Sequence, residues 1–240
     1  MVSGHKNFMK LVGCCLETRF PFMVYYGEEK QYSTIDLNIV VSWKKRMKIA
    51  EGVATALAYL HTAFPRPFVY ANMNLRNVLL DEDGVAKLSD FAYCVSIPKG
   101  ETFVKLRYGG GAYDYIDDDY MVNGVVSEKT DAFGFGILMQ KLLLGEERFR
   151  EVYGRNLDWN RSEQKVPKWL PKSIGEGRID EIIDEKVLEK MGEVGEEERC
   201  QMEAFVILSE RCMGDRGEVP SMVQVAKELK RFVKNASACS

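Results

Sequence analysis

The sequence predicts an α+β fold in which a mainly helical domain carries a few short strands near its amino-terminal end. Three observations lead to this prediction: two strand-like runs at residues 8–15 and 20–26, a helical apolar stripe that begins at Trp43, and an apolar segment at 132–144. The chain has 240 residues, of which 46% are hydrophobic and 29% are charged. This composition is ordinary for a globular protein with a sizeable core, and the length fits one large domain or two small ones.

The two amino-terminal runs predict a β-hairpin. Only Leu16-Glu17-Thr18-Arg19 link them, and so short a connection favours antiparallel pairing. Three further short strands are predicted at residues 68–70, 78–81 and 86–90. The last two are separated by Glu82-Asp83-Gly84, which has the composition of a turn.

A long helix is predicted after Ser42, which is a plausible N-cap. Its buried stripe, with spacings of 4, 3, 4 and 3, consists of Trp43, Met47, Ala50, Ala54 and Leu57. Pro65 and Pro67 end the helical region. The basic residues near its start are interpreted as a solvated helix face; they are Lys44, Lys45, Arg46 and Lys48.

Three more helices follow. Residues 132–144 are apolar nearly all round, which predicts a fully buried helix. Another helix is expected near 196–212, and a last one begins at the capping-box pattern that Ser221 forms with Gln224. The acidic stretch 176–198 is interpreted as a solvated helical surface, with a partner-binding patch as the alternative.

Charge and hydropathy exclude several classes of protein. The formal net charge is −3, from 33 basic and 36 acidic residues, so no basic excess points to nucleic acid or to an anionic membrane. The first residues lack an apolar signal core, so secretion is not indicated. The most apolar run is too short for a transmembrane segment and carries Gln140 and Lys141.

Residues 68–92 carry a resemblance to the catalytic loop and the metal loop of protein kinases of the plant receptor-like type. The pattern H-R-D-x-K-x-x-N-x-L-L-D falls on Tyr70 to Asp81, and D-F-G falls on Asp90-Phe91-Ala92. Three later segments match further kinase motifs in order: 117–119 the A-P-E motif, 131–136 the start of the buried large-lobe helix, and 220–222 the R-P-x-M segment. The resemblance implies a protein kinase-like fold, mainly the helical large lobe with a remnant of the small-lobe sheet.

The departures from the kinase pattern predict a pseudokinase with no catalytic residue. Asn72 stands where the family has the aspartate that accepts the substrate hydroxyl proton. A carboxamide is not a base near neutral pH, and loss of a general base typically lowers the rate about 10²- to 10⁴-fold. Asn74 stands where the family has the lysine of this loop. Ala71 stands where the family has the arginine that pairs with a phosphorylated activation loop.

Two positions of the family's magnesium site are kept, namely Asn77 and Asp90. They are the candidate cofactor-binding and metal-binding residues, and the alternative is that they serve as hydrogen-bonding groups of the loop. The Gly-rich loop and the phosphate-binding lysine would precede His5, and Gly109-Gly110-Gly111 does not replace them. We therefore expect residual small-lobe strands at 1–27, a kinase-like C-terminal lobe at 28–240, and no cofactor, with residual Mg-ATP binding as the alternative.

One buried ion pair of active kinases is expected to be lost. The resemblance places its glutamate at Asp119 and its arginine at Val219. Losing the arginine alone would leave a buried carboxylate without its partner, so we expect the shorter Asp119 side chain to reach water. Asp131 is kept, and in the family this residue accepts backbone N–H groups of the catalytic loop. The scaffold is thus expected to persist where the chemistry is lost.

Two longer stretches resemble the plant immune pseudokinases of receptor-like cytoplasmic kinase descent. They are residues 9–17, with Gly-Cys-Cys-Leu-Glu, and 43–64, which ends in Ala-Leu-Ala-Tyr-Leu-His-Thr-Ala-Phe. The resemblance implies a cytoplasmic adaptor, brought to the inner face of the plasma membrane through its partners. Those partners would be the leucine-rich-repeat part of an intracellular NLR receptor, receptor-like cytoplasmic kinases and bacterial effectors.

Two other functions and three docking surfaces stay open. The chain could instead be a weakly ATP-binding or residually active serine/threonine kinase, or a degenerate product with no stable role. The candidate docking surfaces are the acidic stretch 176–198, the activation segment 93–119, and the polar insert 146–172 with Trp159 and Trp169. We favour the activation segment, because active kinases already use it to meet partners.

Overall fold

The structure is a computed structural model. It describes residues 4–15, 17, 22–27, 32–40, 42–106, 110–154, 178–214 and 219–238. Trp159 and Trp169 of the predicted polar insert lie outside these residues, as do residues 28–31, which follow the predicted domain boundary.

The described residues form short strands and a set of longer helices. The strands are β1 Leu11–Cys15, β2 Phe22–Tyr25, β3 Ser33–Thr34, β4 Phe68–Val69, β5 Val78–Leu80, β6 Ala86–Leu88, β7 Val95–Ser96, β8 Val104–Lys105 and β9 Val125–Val126. The helices are α1 Trp43–Thr62, α2 Asp118–Asn123, α3 Glu128–Gly154, α4 Glu185–Met191, α5 Glu196–Met213 and α6 Met222–Ala238. The strands are short and the helices long, as the sequence predicts.

The strands pair in four small antiparallel sheets. β1 pairs with β2 as the predicted hairpin, with a register irregularity between Leu11 and Gly13. β5 lies between β3 and β6, β4 pairs with β7, and β8 pairs with β9. All three predicted strands between residues 68 and 90 are therefore present.

Residues 7–9 join the hairpin to the large lobe through β6. The Met9 amide donates to the Leu88 carbonyl at 2.9 Å, and the Leu88 amide donates to Asn7 at 2.8 Å. The Asn7 side chain also donates to the carbonyl of Ala86 at 2.9 Å. Phe8, between them, is buried in the main core. The hairpin thus continues directly into the packing of the helical lobe.

Helix α3 is the centre of the main core. Its residues 132–144 are buried apart from Phe133 and Lys141, which are half-buried, so the predicted buried helix is confirmed. Close packing against α5 favours Gly136, because a Cβ there would lie 2.9 Å from the backbone carbonyl oxygen of Ser209. The helix breaks at Gly145, whose φ of 73° and ψ of 169° are not helical.

Side-chain capping agrees with the sequence at one helix and is absent at another. At α6, the Gln224 amide donates to Ser221 Oγ and the Ser221 amide donates to Gln224 Oε1 at 2.8 Å, which is the predicted capping box. Ser42 occupies the N-cap position of α1, but its side chain makes no capping hydrogen bond. The predicted N-cap position is therefore confirmed, and the stability of the helix depends on its buried face and not on a side-chain cap.

Arg46 corrects the interpretation of the basic cluster on α1. Its side chain is fully buried, with 0% exposure, whereas Lys44, Lys45 and Lys48 are exposed as expected. The guanidinium donates to the carbonyls of Leu37, Val40 and Leu142 at 2.7–2.9 Å. It also forms a 2.7 Å ion pair with Asp184, at the N-cap of α4. The pair therefore connects α1, α3, α4 and the segment that precedes α1.

Replacing Arg46 should destabilise the fold strongly. In Arg46→Met, Asp184 keeps a largely buried negative charge without its partner, so we expect the free energy of unfolding to fall by about 3 kcal/mol. Urea unfolding followed by circular dichroism measures this. The control is Lys48→Met on the same helix, where an exposed lysine is lost and little change is expected. Equal stability of the two variants would contradict this role of Arg46.

A second charged residue, Glu210 on α5, lies in an apolar setting. Burial raises its pKa from 4.5 to about 7. Its Oε1 atom is shielded from water and has no hydrogen-bond partner among the described residues. Nearby, Tyr153 at the end of α3 hydrogen-bonds to Gln140 and stacks on Phe149. The carboxylate form of Glu210 is therefore unfavourable in the folded chain.

Glu210 should give the stability a measurable pH dependence. A carboxyl whose pKa is raised on folding opposes folding above that pKa, and the penalty disappears as pH falls from about 7 to about 4.5. Glu210→Gln should therefore be more stable than the parent at pH 8, and the difference in stability should vanish near pH 4.5. Thermal melts at both pH values test this. A difference of the same size at both would show that ionisation is not the cause.

Candidate functional site

The predicted catalytic loop is held by the Asp131 carboxylate of α3. Its two oxygens accept the backbone N–H groups of Tyr70 and Ala71, each at 2.8 Å. His61 Nε2 lies 2.8 Å from the same carboxylate. Asp131 is 1% exposed, and these contacts satisfy a charge that burial alone would make costly. The scaffold role that the kinase resemblance implied for Asp131 is therefore confirmed.

The same contacts hold the loop in an unfavourable backbone conformation. Ala71 has a φ of 52°, in the left-handed region that residues with a Cβ rarely adopt. Ala71 is buried and contacts a small second core with Val69, Ile97, Tyr120 and Val126. Anchoring by Asp131 and this packing together offset the strain.

Tyr70, at the position of the family histidine, connects the catalytic loop to the metal loop. Its hydroxyl donates to the Ser89 carbonyl at 2.5 Å. Its ring packs edge-on against the ring of Phe91, with the two ring centroids 5.6 Å apart. The ring of Phe91 in turn contacts the ring of Phe8, with the centroids 5.7 Å apart. Burial raises the pKa of Tyr70 well above its ordinary value, so the phenol remains a neutral donor.

Asn72, at the catalytic-base position, serves as a hydrogen-bond donor inside the loop. It is 4% exposed, and its Nδ2 donates to the Asp90 carbonyl at 2.9 Å. A carboxylate has no hydrogen to donate in this way. The substitution therefore adds a direct tie between the catalytic loop and the metal loop, and removes the proton acceptor.

Asn77 and Asp90, the remnant metal positions, lie on neighbouring parts of the same site. Asn77 Nδ2 donates to the Asn72 carbonyl at 2.9 Å, and the Asn77 carbonyl accepts from the amide and the hydroxyl of Ser89, both at 2.9 Å. Asp90 is exposed, with a φ of 50°. Asn77 thus has a structural role, as the alternative interpretation expected, while its Oδ1 and the Asp90 carboxylate remain oxygen donors of the kind that Mg²⁺ prefers.

Sequence reasoning missed Tyr25, which brings the hairpin to this site. Its hydroxyl lies beside the backbone of Asp90 and Phe91 and is shielded from water. Burial raises the pKa of this phenol, so it too is neutral. Only the position of Tyr25 at the end of a predicted strand pointed to a buried role, and a strand position does not name its contacts.

The A-P-E counterpart has a local role at α2. Asp117 is the N-cap and accepts the Tyr120 amide at 3.0 Å. Asp119 is half-buried, lies in the first turn, where a helix favours acidic residues, and accepts from Asn123 at 3.3 Å. Val219 packs against the main core. The ion pair of active kinases is therefore absent at these two positions. Asp119 is a carboxylate in the first turn of α2, and Val219 is an apolar core residue.

The activation segment, residues 93–119, is built on short pairings. β7 pairs with β4, and β8 pairs with β9 just after α2. The Gly110 amide donates to the Tyr120 hydroxyl at 2.9 Å. Four large apolar side chains in and beside the segment are 40–76% exposed: Tyr93, Phe103, Tyr113 and Val122. The segment is therefore an ordered surface with exposed apolar groups, apart from residues 107–109, which lie outside the description.

The described residues contain neither a cluster of metal-ligating side chains nor a membrane-spanning helix. Within the described ranges, no group of three or more His, Cys, Asp or Glu side chains is placed to hold a metal ion. No helix in that same part of the chain is both long and apolar enough to span a bilayer.

Asp131 should be essential for the geometry of the loop. In Asp131→Asn, one carboxylate oxygen is replaced by an amide NH2 group, a donor that faces a backbone N–H, so we expect the free energy of unfolding to fall by about 2 kcal/mol. Chemical unfolding measures the loss, and amide exchange should locate it at residues 70 and 71. Glu128→Gln is the control, because Glu128 is half-exposed and lies 3.5 Å from His61. Unchanged exchange at both amides would refute the anchor role.

Comparison with known proteins agrees with this geometry. The family model described as protein kinase domain matches residues 1–232. Two curated Arabidopsis thaliana proteins are similar along nearly the whole chain. The non-functional pseudokinase ZRK15 is 63% identical, over 99% of this chain and 65% of that protein. The serine/threonine-protein kinase ZRK4 is 40% identical, over 97% of this chain and 68% of that protein.

A solved structure shows the same fold. The pseudokinase domain of BIR2, an immune regulator of the RLK/Pelle family, matches with a TM-score of 0.70 at 23% identity, over 97% of this chain and 66% of that one. The chain spans just under two thirds of the length of ZRK15. The kinase-like fold predicted from the motifs is confirmed, and so is the likeness to plant pseudokinases. The chain belongs to the protein kinase domain family, as a member whose catalytic loop is that of a pseudokinase.

Proposed function

We propose that this chain is a catalytically inactive, kinase-like adaptor or decoy that acts by binding other proteins in plant innate immunity. The observation that carries the proposal is the Asn72 amide, which donates to the Asp90 carbonyl at the position of the general base. The group there holds two loops together and cannot accept a proton. The name of ZRK15, a non-functional pseudokinase at 63% identity, supports the same conclusion.

The activation segment is the favoured docking surface. It presents Tyr93, Phe103 and Tyr113 from a backbone that is paired and supported by its own small core. Apolar groups that stay exposed on an ordered surface are typical of protein-binding sites, because their burial on binding is favourable and little ordering is needed. The acidic surface of α4 and α5 is the second candidate.

The partners follow from the family resemblance. We propose the leucine-rich-repeat part of an intracellular NLR receptor and receptor-like cytoplasmic kinases, with bacterial effectors as further partners. The chain would then work in the cytoplasm and at the inner face of the plasma membrane. The likeness to BIR2, which is named as an immune regulator, supports the fold of such an adaptor and does not identify a partner.

The alternative function is weak ATP binding or residual serine/threonine kinase activity. Two observations favour it: Asn77 and Asp90 are close through the hydrogen bonds of Ser89, and ZRK4 carries the name of a kinase. Asn77 Oδ1 and the Asp90 carboxylate would be the residues that hold Mg²⁺. A site with one carboxylate and one amide oxygen takes most of its remaining ligands from water and phosphate, so it binds the ion weakly by itself.

Phosphotransfer assays separate the two functions. We expect no magnesium-dependent transfer to a generic kinase substrate from the purified chain. Asn72→Asp should not restore it, because the tie to the Asp90 carbonyl is lost and a base alone does not position the phosphates. Turnover in either form that disappears on Asp90→Ala would establish the kinase alternative.

Binding assays test the adaptor function itself. The parent, Asp90→Ala and the double variant Phe103→Ser/Tyr113→Ser should be compared for binding to an NLR leucine-rich-repeat domain and to a receptor-like cytoplasmic kinase. We expect Asp90→Ala to bind like the parent, and the double variant to lose at least about ten-fold in affinity for one partner.

The matched control for the binding assay is Ile39→Ser/Ile207→Ser. It also removes two exposed apolar side chains, which are 77% and 49% exposed, but from positions outside residues 93–119. Equal losses in both double variants would show that the activation segment is not the docking surface. Loss of binding in a folded Asp90→Ala would show that a bound metal or nucleotide is required.

A further inference from the structure

Helices α1 and α6 carry a set of exposed cations that the kinase-like site does not use. On α6 these residues are Lys227, Lys230, Arg231 and Lys234. On α1 they are Lys44, Lys45 and Lys48. The two helices pack against each other, and we refer to the seven residues together as the basic face.

The four cations of α6 form one helical stripe. Their spacings of 3, 1 and 3 residues place them on the same side of the helix. Met222, Val225 and Leu229 lie on the other side and are 0–1% exposed, in the main core. The helix therefore presents one apolar face to the protein and one cationic face to solvent.

Neither ion pairing nor helix stability accounts for these cations. Among the described residues, none of the seven forms a salt bridge; the acidic residue within the α6 stripe, Glu228, pairs instead with Arg211 at 2.9 Å. The first turn of α1 contains no acidic residue, and cations at that end of a helix are unfavourable to its dipole. The positive charge of the basic face is therefore not neutralised within the described structure.

The net charge of −3 conceals this feature because charged residues are unevenly distributed along the chain. Exposed acidic side chains are concentrated between residues 181 and 197: Glu181, Glu185, Glu189, Glu193, Glu196 and Glu197. The chain thus has an acidic region on α4 and the start of α5, and a basic face on α1 and α6. A ligand responds to the local electrostatic field, so the negative net charge of the chain does not exclude binding of an anionic membrane at this face.

We propose that the basic face binds the surface of an anionic phospholipid bilayer directly. Clustered basic residues on an amphipathic helix are attracted to acidic headgroups, and each cation near the surface adds to the affinity. Six of the seven residues are lysines, whose compact charge suits a diffuse anionic surface, whereas paired recognition of single phosphates favours arginine. Binding of single-stranded nucleic acid uses exposed aromatic residues, and Trp43, Tyr59 and Phe232 of these helices are buried or half-buried.

Vesicle co-sedimentation of the full chain tests the proposal. The probes are vesicles of phosphatidylcholine alone and of phosphatidylcholine with phosphatidylserine, at low and high salt. We expect binding only to the phosphatidylserine vesicles, with a loss at high salt, because screening weakens attraction between exposed charges. In the variant Lys227→Gln/Lys230→Gln/Arg231→Gln/Lys234→Gln, binding should fall at least about ten-fold.

A control variant distinguishes a local face from total charge. Lys6→Gln/Arg66→Gln/Lys129→Gln/Lys190→Gln removes four exposed cations outside the basic face and the activation segment, three lysines and one arginine as in the α6 variant, so it changes the net charge equally. It should bind like the parent, and both variants should melt like the parent. A third variant, Lys44→Gln/Lys45→Gln/Lys48→Gln, should also bind less well.

Three results would overturn the proposal. The first is the absence of binding to phosphatidylserine vesicles by the parent. The second is an equal loss in the α6 variant and the control, which would mean that only net charge matters. The third is binding of the parent to poly-glutamate but not to vesicles, which would assign the basic face to an acidic protein partner.

Discussion

The buried Asp131 carboxylate is the interaction on which the site depends. It lies at the start of the central helix α3 and accepts the amides of Tyr70 and Ala71. A buried carboxylate is costly unless its oxygens are hydrogen-bonded, and the loop supplies two of these bonds with Ala71 at a φ of 52°. The charge and the strained loop therefore stabilise each other. The conformation of the catalytic loop is thus tied to the core and does not depend on the catalytic groups themselves.

Hydrogen bonds from uncharged donors connect the catalytic loop to the metal loop. The Asn72 amide joins the catalytic loop to the Asp90 carbonyl, and the Tyr70 phenol joins it to the Ser89 carbonyl. Both donors are uncharged, so neither needs a counter-ion in a region of low dielectric constant. These two hydrogen bonds hold the loop without a carboxylate at the position of the catalytic base. This is the physical reason that lost chemistry and retained fold are compatible here.

The described surface includes three regions that differ in chemistry. The activation segment exposes aromatic side chains from a paired backbone, α4 and α5 expose acidic residues, and α1 and α6 expose lysines. The activation segment rests on the small second core, whereas the helices rest on the main core. A protein that brings several partners together requires such distinct surfaces on one rigid body, because each partner must be recognised independently.

The sequence by itself determined the elements whose signals are local or periodic. The α1 stripe, the buried α3, the α6 capping box and the β1–β2 hairpin were all predicted, as were the loops that carry Asn72, Asn77 and Asp90. Tertiary structure decided what individual polar side chains do. Arg46 looked like part of a solvated cluster, but it pairs with Asp184, 138 residues away. The donor role of Asn72 and the placement of Tyr25 beside Asp90 also depend on contacts between distant segments. Periodicity indicates which side of a helix or strand is buried, whereas the partner of a buried polar group depends on how separate elements pack.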